Sequence, residues 1–379
     1  MKLIPYSRQC IDESDIRQVV KTLRSDWITQ GPRINEFECA LSKYTGAKYA
    51  VAVANGTAGL HLACLAAGIK KGDEVITSPM TFVASANCIL YCGGKPVFTD
   101  IQEDTQNIDP EEIIDKITKN SKAIIPVHFA GHPCDLKRIQ SIAKKHNLIV
   151  IEDAAHALGA EYRDSKIGSC KYSDMAVFSF HPVKSITTGE GGAVLTNRKD
   201  LYKRLLLLRN HGIAKDRKKI KKTGSWYYEM QHLGFNYRIT DFQCALGISQ
   251  LGKIDKFIDK KRKIVKLYDR NLSQISTIIL PKERNYVKSS WHIYCIRLKN
   301  ASVRRFVFDK LKKYHIGIQV HYIPVHLQPY YRKNLGYKKG DYPKAERYYS
   351  KAITIPLFPG LTNREVEYIC SNIKRILCQ

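Results

Sequence analysis

LIVIED, residues 148–153, is almost wholly apolar and ends in acid. A strand with one wet face alternates apolar and polar residues. A run this continuous fits a strand covered on both faces, as inside a parallel sheet. Working outward, the chain alternates in both directions. Upstream, Tyr49–Ala54, Glu74–Thr77, Pro96–Asp100 and Ala123–His128 read as strands. Helices separate them. One opens at Asn55-Gly56-Thr57, one runs over Phe82–Tyr91, one starts at Asp109-Pro110 and covers Glu111–Thr118, and one is capped by Asp135 and covers Leu136–Lys145. Downstream, Met175–Phe180 and Gly192–Thr196 read as strands and Leu201–Arg209 as a helix. This alternation over about two hundred residues predicts an α/β fold, a mainly parallel sheet with helices on both faces.

Outside that block the pattern changes. Residues 12–24 put Ile16, Val19, Val20 and Leu23 on one helical face, with Asp12 as N-cap and Asp15 three residues on. A loop at Trp27–Pro32 leads to a second helix, Ile34–Tyr44. Residues 241–270 read as one long helix. The remainder mixes strands (Trp291–Arg297, Gly317–Tyr322) with helices (Val303–Tyr314, Asn363–Leu377). The expected division is a large domain over 1–245 with an N-terminal helical arm, and a smaller C-terminal α+β domain over 246–379.

The chain has 379 residues, 44% hydrophobic and 26% charged, the composition of a folded globular protein. No apolar run reaches spanning length and the start has no signal-peptide pattern, so a cytoplasmic protein without a membrane partner is expected. The 11 cysteines are odd in number and scattered; Cys88 and Cys92 could share one helix face, but no second Cys or His pair stands near them at zinc-site spacing. Reduced thiols and no metal are expected. Sixty-two Lys and Arg against 35 Asp and Glu give a net charge of +27. That charge favours anionic partners, or else reflects a Lys-rich coding bias, since the basic residues run along the whole chain. The dense cluster between Lys215 and Lys222 reads as a solvated loop.

Four features fall where open α/β sheets place their sites. The turn Asn55-Gly56-Thr57-Ala58 offers free backbone N–H groups at a helix start, suited to phosphate. Asp153 closes a buried strand and needs a cationic partner or a cap. Lys184 lies 31 residues later in FSFHPVK, in apolar surroundings where a lysine loses its proton more readily and can attack a carbonyl. Gly189-Glu190-Gly191-Gly192 precedes a strand, which excludes a dinucleotide fingerprint and leaves backbone freedom beside Lys184. Each feature alone also has a plain structural reading. Their order, with the aromatic Phe82 between the first two, matches what pyridoxal phosphate needs: donors for the phosphate, a stacking face, an anion for the ring nitrogen and an amine for the aldehyde.

The chain resembles the DegT/DnrJ/StrS family of sugar aminotransferases, built on fold type I of the pyridoxal-phosphate enzymes. The resemblance runs along nearly the whole chain. It rests on NGTAGL (55–60), TSPMTFVASAN (77–87), IEDAAHALGA (151–160), FSFHPVKSITTGEGGAVLTN (178–197) and GFNYRITDFQCALG (234–247). It implies that Lys184 is the catalytic lysine, bonding the cofactor aldehyde and shuttling a proton. It implies that Asp153 keeps the ring nitrogen protonated. Phe82 would stack on one ring face, and His156 would lie on the other face or near the phenolic oxygen, where the family often carries glutamine. Gly56, Thr57, Ala58 and Ser179 would hold the phosphate, with Asn236 of the partner subunit, since similar enzymes are homodimers with shared sites. Relatives that dehydrate sugars carry histidine in place of the lysine, so transamination is implied.

YSRQCID (6–12), WITQG (27–31) and GIQVHYIPVH (317–326) are most similar to the branch acting in pseudaminic acid formation. That implies transfer of an amino group from L-glutamate to C4 of a UDP-linked 2-acetamido-2,6-dideoxy-4-ketohexose. Nucleotide-sugar contacts would fall on Tyr6, Asp26, Trp27, Ile28, Thr29, Gln319, Val320, His321 and Tyr322, besides Gly56, Ser179 and Asn236. An enzyme of GDP-perosamine or bacillosamine type is the alternative with the same cofactor. An alternative of a different class is a basic regulatory or nucleic-acid-binding protein, but no helix-turn-helix, zinc module or aromatic-interleaved basic stripe is found, so no nucleic-acid partner is expected. A Ser or Cys hydrolase lacks its G-x-S-x-G elbow.

Overall fold

The structure is a computed structural model in which residues 3–378 are described. The chain opens with helices α1 (Glu13–Leu23) and α2 (Pro32–Thr45). It then alternates β1 (Tyr49–Val53), α3 (Gly56–Ala66), β2 (Glu74–Thr77), α4 (Ala84–Tyr91), β3 (Lys95–Phe98), α5 (Pro110–Ile114), β4 (Ser121–Ile125), α6 (Leu136–Lys145) and β5 (Ile149–Asp153). Two-residue strands β6 (Glu161–Tyr162) and β7 (Ser165–Lys166) precede β8 (Met175–Ser179), β9 (Gly192–Thr196) and α7 (Lys199–Arg209).

The main sheet has seven strands in the order β1-β9-β8-β5-β4-β2-β3. Strands β8, β5, β4, β2 and β3 are parallel, while β9 runs antiparallel to both β8 and β1. β9 follows β8 through a short connection with no crossover helix, so it must return antiparallel. Apolar residues fill both faces of the sheet. Ile124, Val150, Ala176 and Phe178 pack with α2 and α6 on one side, and Ile125, Ile151, Met175 and Val177 pack with α3 and α7 on the other. Covered on both sides, the strands have no wet face, which is why LIVIED carries no alternation. Polar side chains punctuate the helix starts. Asp12 and Asp15 form a capping box at α1, Asn55 caps α3 and Asp135 caps α6.

Beyond α7 come the hairpin strands β10 (Ile213–Ala214) and β11 (Glu229–Met230), with α8 (Arg217–Thr223) between them. The stretch read as one helix over 241–270 is two, α9 (Asp241–Leu251) and α10 (Ile254–Leu272), interrupted at Gly252-Lys253. Gly in the helix interior carries no side chain to pack and costs about 1 kcal/mol against Ala, so the break falls there. A second, three-stranded sheet orders β12 (Ile278–Ile279), β14 (Tyr294–Leu298) and β15 (Ala352–Ile355), and β13 (Val287–Lys288) pairs with β6. Helices α11 (Arg304–Lys313), α12 (Pro329–Leu335), α13 (Pro343–Lys351) and α14 (Asn363–Leu377) complete the chain. The core of the smaller sheet includes Ile264, Tyr294, Ile353 and Ile369, and also Ile4 from the far N-terminus.

Three further expectations from the sequence change. The basic cluster between Lys215 and Lys222, read as a loop, forms α8, because the Asp216 side chain caps it by accepting from the Lys218 N–H at 2.8 Å. Gly317–Tyr322 does not form a strand: only Ile316 bridges Ile4 and Gln319 bridges Thr354. The segment threads between two neighbours and pairs once with each, so no ladder builds. The apolar face of α1 is not in the core: Ile16, Val20 and Leu23 are 45%, 37% and 53% exposed. α1 instead turns its polar Asp15 and Thr22 inward, and Asp15 accepts from Gln250 at 2.7 Å and pairs with Lys253 at 2.8 Å. Among the described residues, no helix is long and apolar enough to cross a membrane, and no group of three or more His, Cys, Asp or Glu is placed to hold a metal.

Candidate active site

The C-terminal ends of β5 and β8 open onto a cavity of about 740 Å³, closed by the start of α3 on one side and by the 321–322 segment on the other. This is where a parallel sheet leaves a crevice and where helix starts point their free amides. Of the residues predicted from sequence, Tyr6, Gly56, Thr57, Ala58, Phe82, Asp153, His156, Ser179, Lys184, His321 and Tyr322 all line it.

Asp153 ends β5 and is 6% exposed. A carboxylate so buried is costly unless its lone pairs are used. Ser85 Oγ donates to Oδ2 at 2.5 Å, and the Ala155 N–H donates to Oδ1 at 3.1 Å. Glu152, one residue earlier, faces the opposite side of the sheet as the two-residue strand period requires. There it meets His128 Nε2 at 2.7 Å and accepts from the Ser173 hydroxyl.

Lys184 sits in the turn after β8, where its own N–H donates to the His181 carbonyl at 2.8 Å. Burial pulls its amine down to about 8, against the opposing pull of Asp153. A fraction of the amine is therefore unprotonated near neutral pH. Ser7 donates to the Val183 carbonyl at 3.3 Å, tying the N-terminal segment to the lysine turn.

At the start of α3 the Asn55 side chain accepts from the Ala58 N–H at 2.8 Å, so the cap is internal. The Gly56 and Thr57 amides lie in the first turn, where no intrahelical acceptor exists. Ser179 lies directly against them: a Cβ on Gly56 would stand 2.8 Å from the Ser179 Cβ. Gly192 has a similar duty, since a Cβ there would stand 2.7 Å from the Asn55 backbone. The glycines therefore let β8, β9 and the α3 turn approach closely enough to shape an anion cradle.

Opposite, four side chains form an imidazole and phenol wall. His156 Nε2 lies 3.1 Å from the Tyr322 hydroxyl, and His156 Nδ1 is buried without a partner. The His292 ring packs against His156 at 4.1 Å between centroids. His321 Nδ1 lies 2.8 Å from Thr354 Oγ1. Burial, and then the charge of Lys184, holds His156 well below the usual imidazole range and His321 down to about 4. Burial followed by the neighbouring His156 does the same to His292. The wall is neutral at pH 7. Phe82 stands at the mouth, 57% exposed, 6.2 Å from the Tyr322 ring.

This donor set fits pyridoxal phosphate. It combines an amide cradle that a Cβ would fill, a buried carboxylate with acceptor capacity left over, an amine of lowered pKa, an exposed aromatic face and an orphaned imidazole nitrogen. The remaining predicted residues lie elsewhere on this chain. Asn236 bridges Asn210. Asp26, Trp27, Ile28 and Thr29 form an exposed loop, held where the Ile28 carbonyl accepts from the Asp241 N–H at 3.0 Å and Thr29 bridges Thr240. Gln319 exchanges backbone bonds with Thr354, and Val320 beside it is half-buried. Sequence reasoning missed His61, Thr81, Tyr237 and His292, which also line the cavity. His292 lies more than a hundred residues from Lys184 in an apolar stretch, and no spacing rule links the two.

The sequence matches the DegT/DnrJ/EryC1/StrS aminotransferase family over residues 9–374. It is 40% identical to the UDP-4-amino-4,6-dideoxy-N-acetyl-beta-L-altrosamine transaminase of Campylobacter jejuni, across 99% of this chain and 98% of that protein. The fold superposes with a TM-score of 0.92 on Helicobacter pylori PseC, an aminotransferase involved in the biosynthesis of pseudoaminic acid, at 33% identity over 99% of both chains. It superposes with a TM-score of 0.91 on the PLP-form of the putative sugar aminotransferase Spr1654 from Streptococcus pneumoniae, at 34% identity over 99% of this chain and 98% of that one. The chain belongs to the DegT/DnrJ/EryC1/StrS family of pyridoxal-phosphate-dependent sugar aminotransferases.

Proposed function

We propose that this enzyme moves the amino group of L-glutamate to C4 of a UDP-linked 2-acetamido-2,6-dideoxy-4-ketohexose. The products are UDP-4-amino-4,6-dideoxy-N-acetyl-beta-L-altrosamine, in pseudaminic acid formation, and 2-oxoglutarate. The observation that carries this reading is the 40% identity, end to end, with the Campylobacter jejuni transaminase, joined to a cavity shared by Lys184 and Asp153.

In this reading Gly56, Thr57, Ala58 and Ser179 hold the phosphate of pyridoxal phosphate, Phe82 covers one ring face, His156 lies opposite, and Asp153 pairs with the ring nitrogen. Bound there, the cofactor supplies an aldehyde for amine exchange and an aromatic electron sink. Lys184 Nζ, part-deprotonated near pH 7, takes and returns the proton at the substrate carbon that bears nitrogen. The neutral wall of His156, His321 and Tyr322 accepts and donates hydrogen bonds to the sugar without repelling an incoming ammonium. Tyr6 and the 321–322 segment border the entrance on the sugar side. The net charge of +27 steers a diphosphate substrate toward it.

The enzyme works as a cytoplasmic homodimer with shared sites. Support comes from the bare apolar face of α1, continued by Trp27 and Ile28, and from Trp226, Tyr228 and Met230 on the β10–β11 hairpin with Leu233 just after it, all more than a third exposed. Asn236 and the 26–29 loop, which do not reach this chain's own cavity, are offered to the partner's.

The test follows the two half-reactions. Glutamate should bleach the visible band of the purified holoenzyme, and the UDP-linked 4-ketosugar should restore it with a 4-amino sugar as product. Restoration by a GDP-linked 4-ketosugar alone would overturn the substrate assignment.

A further inference from the structure

We propose that Ser85, backed by Thr81, is a positioning residue that aims the Asp153 carboxylate at the cofactor ring; the inference rests on the cofactor reading above. Ser85 stands in the first turn of α4, fully buried, and its Oγ is 2.5 Å from Asp153 Oδ2. Thr81 Oγ1 lies 2.6 Å from the same Ser85 oxygen, and Thr81 is 2% exposed on the cavity wall. An ionised carboxylate only accepts, so the single hydroxyl proton of Ser85 points at Asp153. The Ser85 oxygen must then accept from Thr81. The chain has one direction, Thr81 to Ser85 to Asp153, and each donor polarises the next toward the negative charge.

The Phe82 carbonyl, 3.3 Å from Ser85 Oγ, is the competing acceptor. The charged and much shorter contact wins. On the other carboxylate oxygen the Ala155 N–H plays the matching part at 3.1 Å. Each oxygen thus has one protein donor, which fixes the plane of the carboxylate about its last torsion. A carboxylate offers about four lone-pair sites, so acceptor capacity is left for a ligand N–H⁺. Removing the Ser85 hydroxyl frees that torsion and leaves Oδ2 buried without a donor, where an uncompensated carboxylate is least stable. Asp153 then holds a protonated ring nitrogen less well, although its charge and position along β5 are unchanged.

The experiment measures pyridoxal phosphate affinity of the apoenzyme by absorbance titration, with thermal melts alongside. Ser85→Ala should weaken binding about tenfold or more, as expected when a hydrogen bond to a charged group is lost. Ser85→Thr should restore binding to within a few-fold, and Thr81→Val should give a smaller loss. The deciding comparison is made in an Asp153→Asn background, where Ser85→Ala should have almost no further effect. An equal loss in both backgrounds, or undiminished affinity in Ser85→Ala, would overturn the proposal. Wild-type apoenzyme that fails to bind the cofactor at all would instead strike the cofactor reading, and this inference with it. Thr81→Val keeps the question open to refutation should Ser85→Ala not fold.

Discussion

His156 and His292 lie against each other, ring centroids 4.1 Å apart and planes 37° apart, both buried beside Lys184. Burial holds each below the ordinary imidazole value. In the unfolded chain both titrate near about 6.5. Below that pH the unfolded state takes up protons that the native state refuses. The stability they allow is therefore complete above about pH 6.5 and declines as pH falls. The apoenzyme melting temperature should be level from pH 7 to 8 and drop toward pH 5. A His156→Gln, His292→Gln double variant should flatten that drop. An equally steep acid slope in the double variant would contradict the assignment.

Lys184, drawn down to about 8, should react with aldehydes at a rate that climbs through that pH and levels by about one to two pH units above it. Stopped-flow reconstitution of the apoenzyme measures this directly. A midpoint above 10 would mean that the amine is solvated. Lys184→Ala should lose turnover by about 10³-fold or more while still binding the cofactor reversibly.

Gly56→Ala places a methyl 2.8 Å from the Ser179 Cβ. The α3 turn must retreat from β8, so affinity for pyridoxal phosphate and for inorganic phosphate should fall together. Circular dichroism should remain that of the wild type, because the change sits at a helix start. Unchanged phosphate affinity would remove the cradle from the argument.

Glu152 and His128 are 2% and 0% exposed as side chains and meet at 2.7 Å on the face of the sheet away from the cavity. His128→Ala strands a buried carboxylate. It should lower stability by about 3 kcal/mol, read from urea unfolding, with pyridoxal phosphate affinity changed by less than about threefold in the protein that remains folded.

Val20→Glu and Leu23→Glu place charge on the bare face of α1. If that face is covered by a second copy, sedimentation should shift from dimer to monomer and activity should fall with it. Retention of a dimer by both variants would move the interface elsewhere.

The strand and helix rhythm, the caps at Asp12, Asp109 and Asp135, and the order of Gly56, Phe82, Asp153 and Lys184 were all readable along the chain, because they depend on spacing and on local hydrogen bonds. Tertiary structure alone decided three other matters. It assigned α1's apolar face to the outside, since Asp15 finds better partners in Gln250 and Lys253 than any local residue offers. It brought His292, Thr81 and Ser85 to Asp153 and His156, contacts made across sheet and domain, which no periodicity records. And it broke up Gly317–Tyr322, because pairing depends on which neighbours a segment meets. Local propensity writes the elements; the environment of a side chain, and hence its charge and its chemistry, is set only when distant parts of the chain exclude water together.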